Sequence, residues 1–398
     1  MSPLASPAWS SGRKVAFRFL LLYALLDLSG GLFLPWDVLA DWITPRLLGQ
    51  PLPVPVPTGS GDTLRQYILA GLYLVAAGLG TLIWSAAEGR RDWTPRLGWP
   101  AHTALRFWVA YTLLLYGWSK LLLVQMPAPD FPDLLTPLGE MSPMGLLWRS
   151  VGFSALYERA GGLAEVVAGL LLLSRRTSLF GALLGAGVMA YVFLLNLSFD
   201  VPVKLFSAHL LLYCLLLLAP FWPRLWLFVT NRPVPPQVYP AGRGRARLAF
   251  LALAVLAVAL LPAGLTALSA HASSPVGRND LAGVYEVQTS APGSAAWVRL
   301  ALGEQLFAAE ETGSPPWGRV ALLRSDGTRL RGWYTSDRAA RTLTLHFGTL
   351  DRLFHSRSRD GALTLEDGSE TLTLRPAADA TLLRDRGFRW VNEQPFNR

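Results

Sequence analysis

Two glutamates seven residues apart, Glu158 and Glu165, and two of the chain's three lysines, Lys120 and Lys204, lie within or beside long apolar runs. Ionisable side chains at membrane depth cost roughly 2.5–3.5 kcal/mol each on insertion scales, so they are kept where they pair or perform chemistry. The seven-residue spacing puts Glu158 and Glu165 on one helix face. Gly161, Gly162 and Gly169 lie near the same stripe, where small residues admit a neighbouring helix. A carboxylate beside such backbone faces protein instead of lipid and can handle a proton. In a chain with 33 Arg and 3 Lys, two lysines at such positions point to a compact, titratable ammonium that attracts an anion or polarises an oxygen. Lys204 also opens its segment, where the helix dipole opposes a cation. It therefore needs a carboxylate, either the nearby Asp200 or Glu158 or Asp27 from another segment.

Lys120, Glu158, Glu165 and Lys204 are thus the catalytic candidates. Asp27, Tyr157, Arg159, Asn196, Asp200 and His209 are candidates for holding a cofactor in a shared outer pocket. Five of them have a plainer alternative. Lys120 can snorkel to the headgroups, Asp200 can cap a helix, and Glu165, Asn196 and His209 can serve as interhelical contacts. Arg18 and Arg106, near inner helix ends, are read as snorkelling anchors. The five histidines show no i, i+4 pairing, so no metal site is expected. The single cysteine, Cys214, excludes internal disulfides and Cys-based zinc, iron–sulfur or c-type haem attachment within one chain.

The elements that must position these residues are helices. Hydrophobic residues make up 52% of the 398, and charged residues only 16%, well below the soluble average. Seven apolar segments, at 15–34, 64–87, 101–125, 148–173, 178–198, 203–229 and 247–269, are each long enough to cross a hydrocarbon core of about 30 Å. One alternate set of connections carries 12 basic residues and the other set only Arg46. Positive connections stay cytoplasmic, so the N-terminus is expected inside and the C-terminus outside a bacterial cytoplasmic membrane. Residues 1–271 hold 20 basic and 12 acidic side chains, and 272–398 hold 16 and 15. The basic excess therefore belongs to the membrane half and marks topology, not nucleic-acid binding. The proline-rich stretch 126–143 is expected to cover the helices from outside. Asp62 or Thr63 is expected to cap the second span.

Residues 272–398 change character. Stretches at 283–289, 296–302, 317–324, 329–335, 341–346, 362–366 and 370–375 alternate apolar and polar residues, with turn residues at 325–327, 360–361 and 366–368. This predicts an extracytoplasmic all-β domain, a sandwich or small barrel. The closing segment 386–398 is read as a last strand with a frayed end, or else an aromatic and arginine docking surface. The fold class is therefore an all-α polytopic membrane bundle, 1–271, followed by the β domain, 272–398.

Gly117-Trp118-Ser119-Lys120, Gly161-Gly162-Leu163-Ala164-Glu165 and Gly169-Leu170-Leu171-Leu172 resemble the DoxX-like bacterial membrane proteins. The segments 142–145 and 196–205, and the ending 386–398, resemble a longer branch of that family. The resemblance covers about 104–220 and implies a four-helix core there, with Lys120 and Glu165 as the functional positions. It further implies work beside quinone electron transfer, as a subunit associated with a thiosulfate:quinone oxidoreductase or a terminal oxidase. This chain adds three spans and the β domain, and shows no flavin, haem, iron–sulfur or zinc motif. Electrons would have to come through a bound quinone and a redox partner subunit. The competing expectation is a non-enzymatic membrane scaffold whose β domain binds an extracytoplasmic protein or lipid. No inverted repeat favours a transporter.

Overall fold

Ser10 and Thr63 each accept a hydrogen bond from the backbone N–H three residues on, Arg13 and Gln66, and helices begin there. The computed structural model describes residues 9–30, 35–54, 59–88, 93–236, 261–262, 264, 275–289, 297–307, 316–337, 339–348, 350–359, 361–368 and 370–385. The chain divides into two units, Met1–Leu122 with Arg159–Pro262, and Leu123–Glu158 with Ala263–Arg398.

The first unit is helical. It contains α1 (Ser11–Leu28), α2 (Trp36–Leu48), α3 (Leu64–Ala87), α4 (Thr94–Leu121), most of α7 (Ala155–Leu173), α8 (Ser178–Ser198), α9 (Lys204–Leu218) and α10 (Trp222–Val229). Among the described residues, three helices are long and apolar enough to cross a membrane: Leu64–Ala87, Ser178–Ser198 and the continuous Lys204–Val229. The core runs through α4, α7, α8 and α9, with Leu113, Leu114, Leu172, Tyr213 and Leu217 almost fully buried. Glycine sets the spacing of α4 and α7. A Cβ at Gly117 would lie 2.8 Å from the Gly162 carbonyl oxygen, and one at Gly162 would lie 2.6 Å from that of Gly117. A smaller cluster of Tyr23, Trp36, Tyr73 and Ala77 joins α1, α2 and α3.

Some boundaries differ from the sequence expectation. The connection 35–62 contains α2, which ends at Gly49 in the left-handed conformation. α4 starts at Thr94, ahead of the predicted 101, with Pro95 in its first turn. The predicted span 148–173 is two helices, α6 (Pro143–Phe153) and α7, because Ser154 is extended and its hydroxyl accepts from Tyr157 N–H. Gly152 permits the break, since a Cβ there would lie 2.5 Å from the Pro127 carbonyl oxygen. The predicted seventh span falls almost wholly outside the described residues, and so does the segment 386–398.

The second unit is a closed antiparallel barrel. Strands β2 (Gly283–Thr289), β3 (Trp297–Phe307), β4 (Trp317–Arg324), β5 (Arg329–Asp337), β6 (Thr342–Phe347), β7 (Leu350–Arg359), β8 (Ala362–Glu366) and β9 (Thr371–Pro376) each pair with the next, and β9 returns to β2. β1 (Pro275–Arg278) continues the line of β2 along β3. Eight strands make a barrel just wide enough to be filled by side chains. Leu300, Leu302, Tyr334, Leu343, Leu345, Phe354, Leu365 and Leu374 fill it. The predicted β8–β9 hairpin pairs Leu363 with Leu374 and Leu365 with Leu372, all buried.

The 123–158 segment belongs to this unit. α5 (Phe131–Leu134) lies on the outer face of the barrel, where Phe131, Leu134 and Leu135 pack against Val284, Ala301 and Ala321. Buried Asp130 accepts from Glu304 N–H at 2.9 Å and pairs with Arg319 at 3.4 Å. Asp133 pairs with Arg149 and Arg319, each at 3.0 Å. Thr136 and Glu140 bond Arg331 and Arg329. The acidic, proline-rich stretch meets the arginines of β4 and β5. Burial pushes the Asp133 carboxyl up, but Arg319, Arg149 and the Asp130 N–H outweigh it and hold the group below the usual carboxylate range.

Candidate functional site

Tyr23 and Asp27 are four residues apart on α1, and His209 and Tyr213 are four apart on α9, so each pair shares a helix face. The two faces meet. Tyr23 Oη lies 2.5 Å from His209 Nε2, with the rings nearly parallel, and Tyr213 donates to Asp27 Oδ2. His209 Nδ1 lies 2.7 Å from the Leu205 carbonyl oxygen. A carbonyl only accepts, so Nδ1 carries the proton and Nε2 of the neutral ring accepts from the Tyr23 hydroxyl. Asp27 Oδ1 is 3.9 Å from His209 Nε2. The arrangement can accept, hold and return a proton. Tyr213 is fully buried and Tyr23 nearly so, while Asp27 is half-buried.

Lys120 and Glu165 form a second group. The ammonium contacts both carboxylate oxygens, at 2.6 and 2.7 Å, across the close α4–α7 approach. Both side chains are largely removed from solvent, so each neutralises the other's charge. Aromatic rings connect the two groups. Tyr116 lies beside Lys120 and against Phe206, Phe206 meets Trp108, and Trp108 meets Tyr213 edge-on at 5.6 Å.

Lys204 belongs to a third group. Its ammonium lies 2.8 Å from Asp200 and 3.3 Å from Asp62. Asp62 also accepts the N–H groups of Lys204 and Leu205. It therefore caps α9 from a distant part of the chain, while Thr63 caps α3. Asp200 is not the helix cap: it has φ +49°, is exposed, and acts only on Lys204. The carboxylate that Lys204 required is thus Asp200 together with Asp62, not Glu158 or Asp27.

The remaining candidates have contact roles. Glu158 is buried and accepts from Met126 N–H at 3.1 Å. The exposed Arg159 reaches the Leu121 carbonyl at the end of α4. Asn196 donates to Ser207 between α8 and α9. The Tyr157 side chain is exposed. Among the described residues of the helical unit, the polar candidates therefore fall into separate contact groups. Arg18 is not a snorkelling anchor. It is 2% exposed and holds Glu88, Ser85 and Thr94, tying the start of α1 to the end of α3 and the start of α4. Arg106 is also buried, at 4% exposure.

Sequence reasoning missed Tyr23 and Tyr213, and it placed Asp62 as a cap of the second span, not at Lys204. The i, i+4 spacing to Asp27 and His209 carries the signal for both tyrosines. For Asp62 the signal is tertiary.

No family model and no solved structure matches the chain. A Bacillus subtilis (strain 168) protein described as "Uncharacterized protein YwoB" is 30% identical over 113 residues, which span 28% of this chain and 71% of the relative. Identity at that level over most of the relative's length places this chain in the family of that Bacillus subtilis protein.

Proposed function

We propose that the protein is a DoxX-like integral protein of a bacterial cytoplasmic membrane, and that its α1–α9 cluster handles protons for a quinone-linked oxidoreductase. The observation that carries the reading is the Tyr23–His209 hydrogen bond beside the Tyr213–Asp27 bond. A phenol and an imidazole in direct contact, with Trp108 and Phe206 nearby, suit the oxygen and the flat ring of a quinone. When bound, a quinone supplies the two-electron chemistry, and a redox partner subunit supplies the electrons. Tyr23 would donate a proton to an oxygen at the cluster and recover one from protonated His209 Nε2. Asp27 faces the charge that the ring carries meanwhile. Lys120 and Glu165, saturated by each other, hold α4 against α7.

Topology is part of the reading. Asp62 and Lys204 bring the starts of α3 and α9 to one end of the helical unit. Arg18, Glu88 and Thr94 bring the start of α1, the end of α3 and the start of α4 to the other. His102 on α4 meets the Leu217 carbonyl near the end of α9. This alternation agrees with the distribution of basic residues, which sets the N-terminus inside. The 123–158 segment follows the outer end of α4, and the barrel is bonded to it, so both share the outer face. An even number of crossings must then separate Glu158 from β1. α7, α8 and α9–α10 supply three, and the apolar run 247–269 is the fourth.

Mass spectrometry of quinones retained by the purified protein tests the redox role. Retention that falls on Tyr23→Phe supports it. No retained quinone, together with no quinol formation from any sulfur donor in membranes containing the protein, overturns it.

A second reading has its own observation. The mutual saturation of Lys120 and Glu165, and the clamp of Asp130 and Asp133 on Arg319, suit a scaffold that presents the barrel to a partner protein or lipid. Trp333, stacked on His346, and Leu353 are the large apolar side chains on the outer face of β5–β7.

A further inference from the structure

Arg106 is the one buried cation in the helical unit whose charge meets no acidic side chain among the described residues. It sits on the fourth turn of α4, 4% exposed, with Nη1 sealed from solvent and without a hydrogen-bond partner. Its guanidinium lies over the Phe107 ring at 4.8 Å. The charged neighbour that acts on it is Arg175, just past the end of α7. Arg175 has no ion pair among the described residues either, and lies over the Trp99 ring at 4.1 Å. Arg18, the other deeply buried arginine of this unit, is fully engaged by Glu88, Thr94 and Ser85.

A buried guanidinium with an orphaned N–H, which meets the charge of a second arginine and no carboxylate among the described residues, is costly in an apolar bundle. The C-terminus of α7 offsets part of this, but a helix end carries only about half an elementary charge. His102, which donates its Nε2–H to the Leu217 carbonyl at 3.2 Å, carries no negative charge to offset the two arginines. The balance calls for an anion. A guanidinium fork matches the spacing of phosphate oxygens, and an orphaned buried N–H gains most when such an oxygen fills it. Trp99 is half exposed, in the manner of a residue at headgroup level, and positions Arg175 there.

We propose that Arg106 and Arg175 form a binding site for a phosphate-bearing anion, presented by an anionic phospholipid headgroup or free in solution. The lipid source rests on the membrane reading, and the free-phosphate source does not. Neither depends on the redox role.

The full chain in nonionic detergent is titrated with phosphatidylglycerol, with phosphatidylcholine and with inorganic phosphate, following Tm, while native mass spectrometry counts retained lipid. The expected result is a rise in Tm with phosphatidylglycerol and not with phosphatidylcholine. Affinity should fall about tenfold or more in Arg106→Gln and Arg175→Gln, the scale expected for lost charge-assisted hydrogen bonds. A rise with inorganic phosphate alone, lost in the same variants, assigns the site to the free anion. Arg175 is only part-buried, so Arg175→Gln carries the test if Arg106→Gln does not fold. Equal response to both lipids and none to phosphate, or unchanged affinity in Arg175→Gln, overturns the proposal.

Discussion

The Tyr23 hydroxyl lies 2.5 Å from His209 Nε2, and the far side of the same ring is fixed by the Leu205 carbonyl at 2.7 Å. One tautomer is thereby selected, and the only ring nitrogen open to proton exchange faces Tyr23 and Asp27. A positioned acid–base group contributes about 10²–10⁴-fold to a rate. His209→Gln should therefore lower quinone-coupled turnover by at least about 100-fold, while Tm in detergent moves by only a few degrees. Loss of Tm in proportion to turnover would show that the ring only packs.

The Lys120–Glu165 pair predicts strong coupling. Removing one partner of a buried ion pair costs about 3–5 kcal/mol, because the other charge is stranded. Lys120→Met should destabilise by that order, and Lys120→Met with Glu165→Gln should recover most of it. Denaturant melts of the two single variants and the double variant measure the coupling. If the double variant is stable and turns over normally, the pair is a lock between α4 and α7. If it is stable and inactive, Lys120 or Glu165 takes part in the chemistry.

Asp62 predicts a capping effect at a distance. Its carboxylate accepts two backbone N–H groups of α9 and faces Lys204. Asp62→Ala should cost about 1–2 kcal/mol and raise hydrogen exchange at Lys204 and Leu205. Asp200→Ala, which removes only an exposed partner, should cost under about 1 kcal/mol. Equal effects would contradict the assignment.

Asp133 predicts acid sensitivity of the clamp on the barrel. Its folded pKa lies below the ordinary value because of Arg319, Arg149 and the Asp130 N–H. A depressed folded pKa contributes stability above the unfolded value of about 3.9. That stability falls away as pH drops through the folded value. Limited proteolysis of 123–158 should therefore accelerate below about pH 4. Asp133→Asn should show the faster cleavage already at neutral pH and a flatter pH profile. An unchanged profile in the variant would remove Asp133 as the cause.

Several of these features are legible in the sequence. Lone lysines in an arginine-rich chain marked Lys120 and Lys204, and the glycines near Glu165 marked the α4–α7 approach, because both signals are local composition. Strict alternation marked the β8–β9 hairpin. β7 escaped notice because only Phe354 of its ten residues is buried and most of the rest are arginine, serine, histidine and aspartate. α2 escaped because proline and acidic residues made its segment look like a connection. The partners were the hardest to read. Asp62 lies 142 residues before Lys204, and Tyr23 lies 186 before His209. The i, i+4 spacings mark the Tyr23–Asp27 and His209–Tyr213 faces but not that the two faces meet, the Asp62–Lys204 pairing leaves no trace in spacing, and Ser154, which divides a predicted span, looks like any small polar residue.

The proposed topology puts the barrel and the α4–α7 connection on the outer side and the α7–α8 turn inside. Single cysteines introduced by Leu138→Cys, Arg357→Cys and Arg176→Cys, in a Cys214→Ala background, test this with a membrane-impermeant maleimide on intact cells. The first two should label at once and the third only after the membrane is opened. Labelling of Arg176→Cys from outside, with Leu138→Cys and Arg357→Cys protected, would contradict the account.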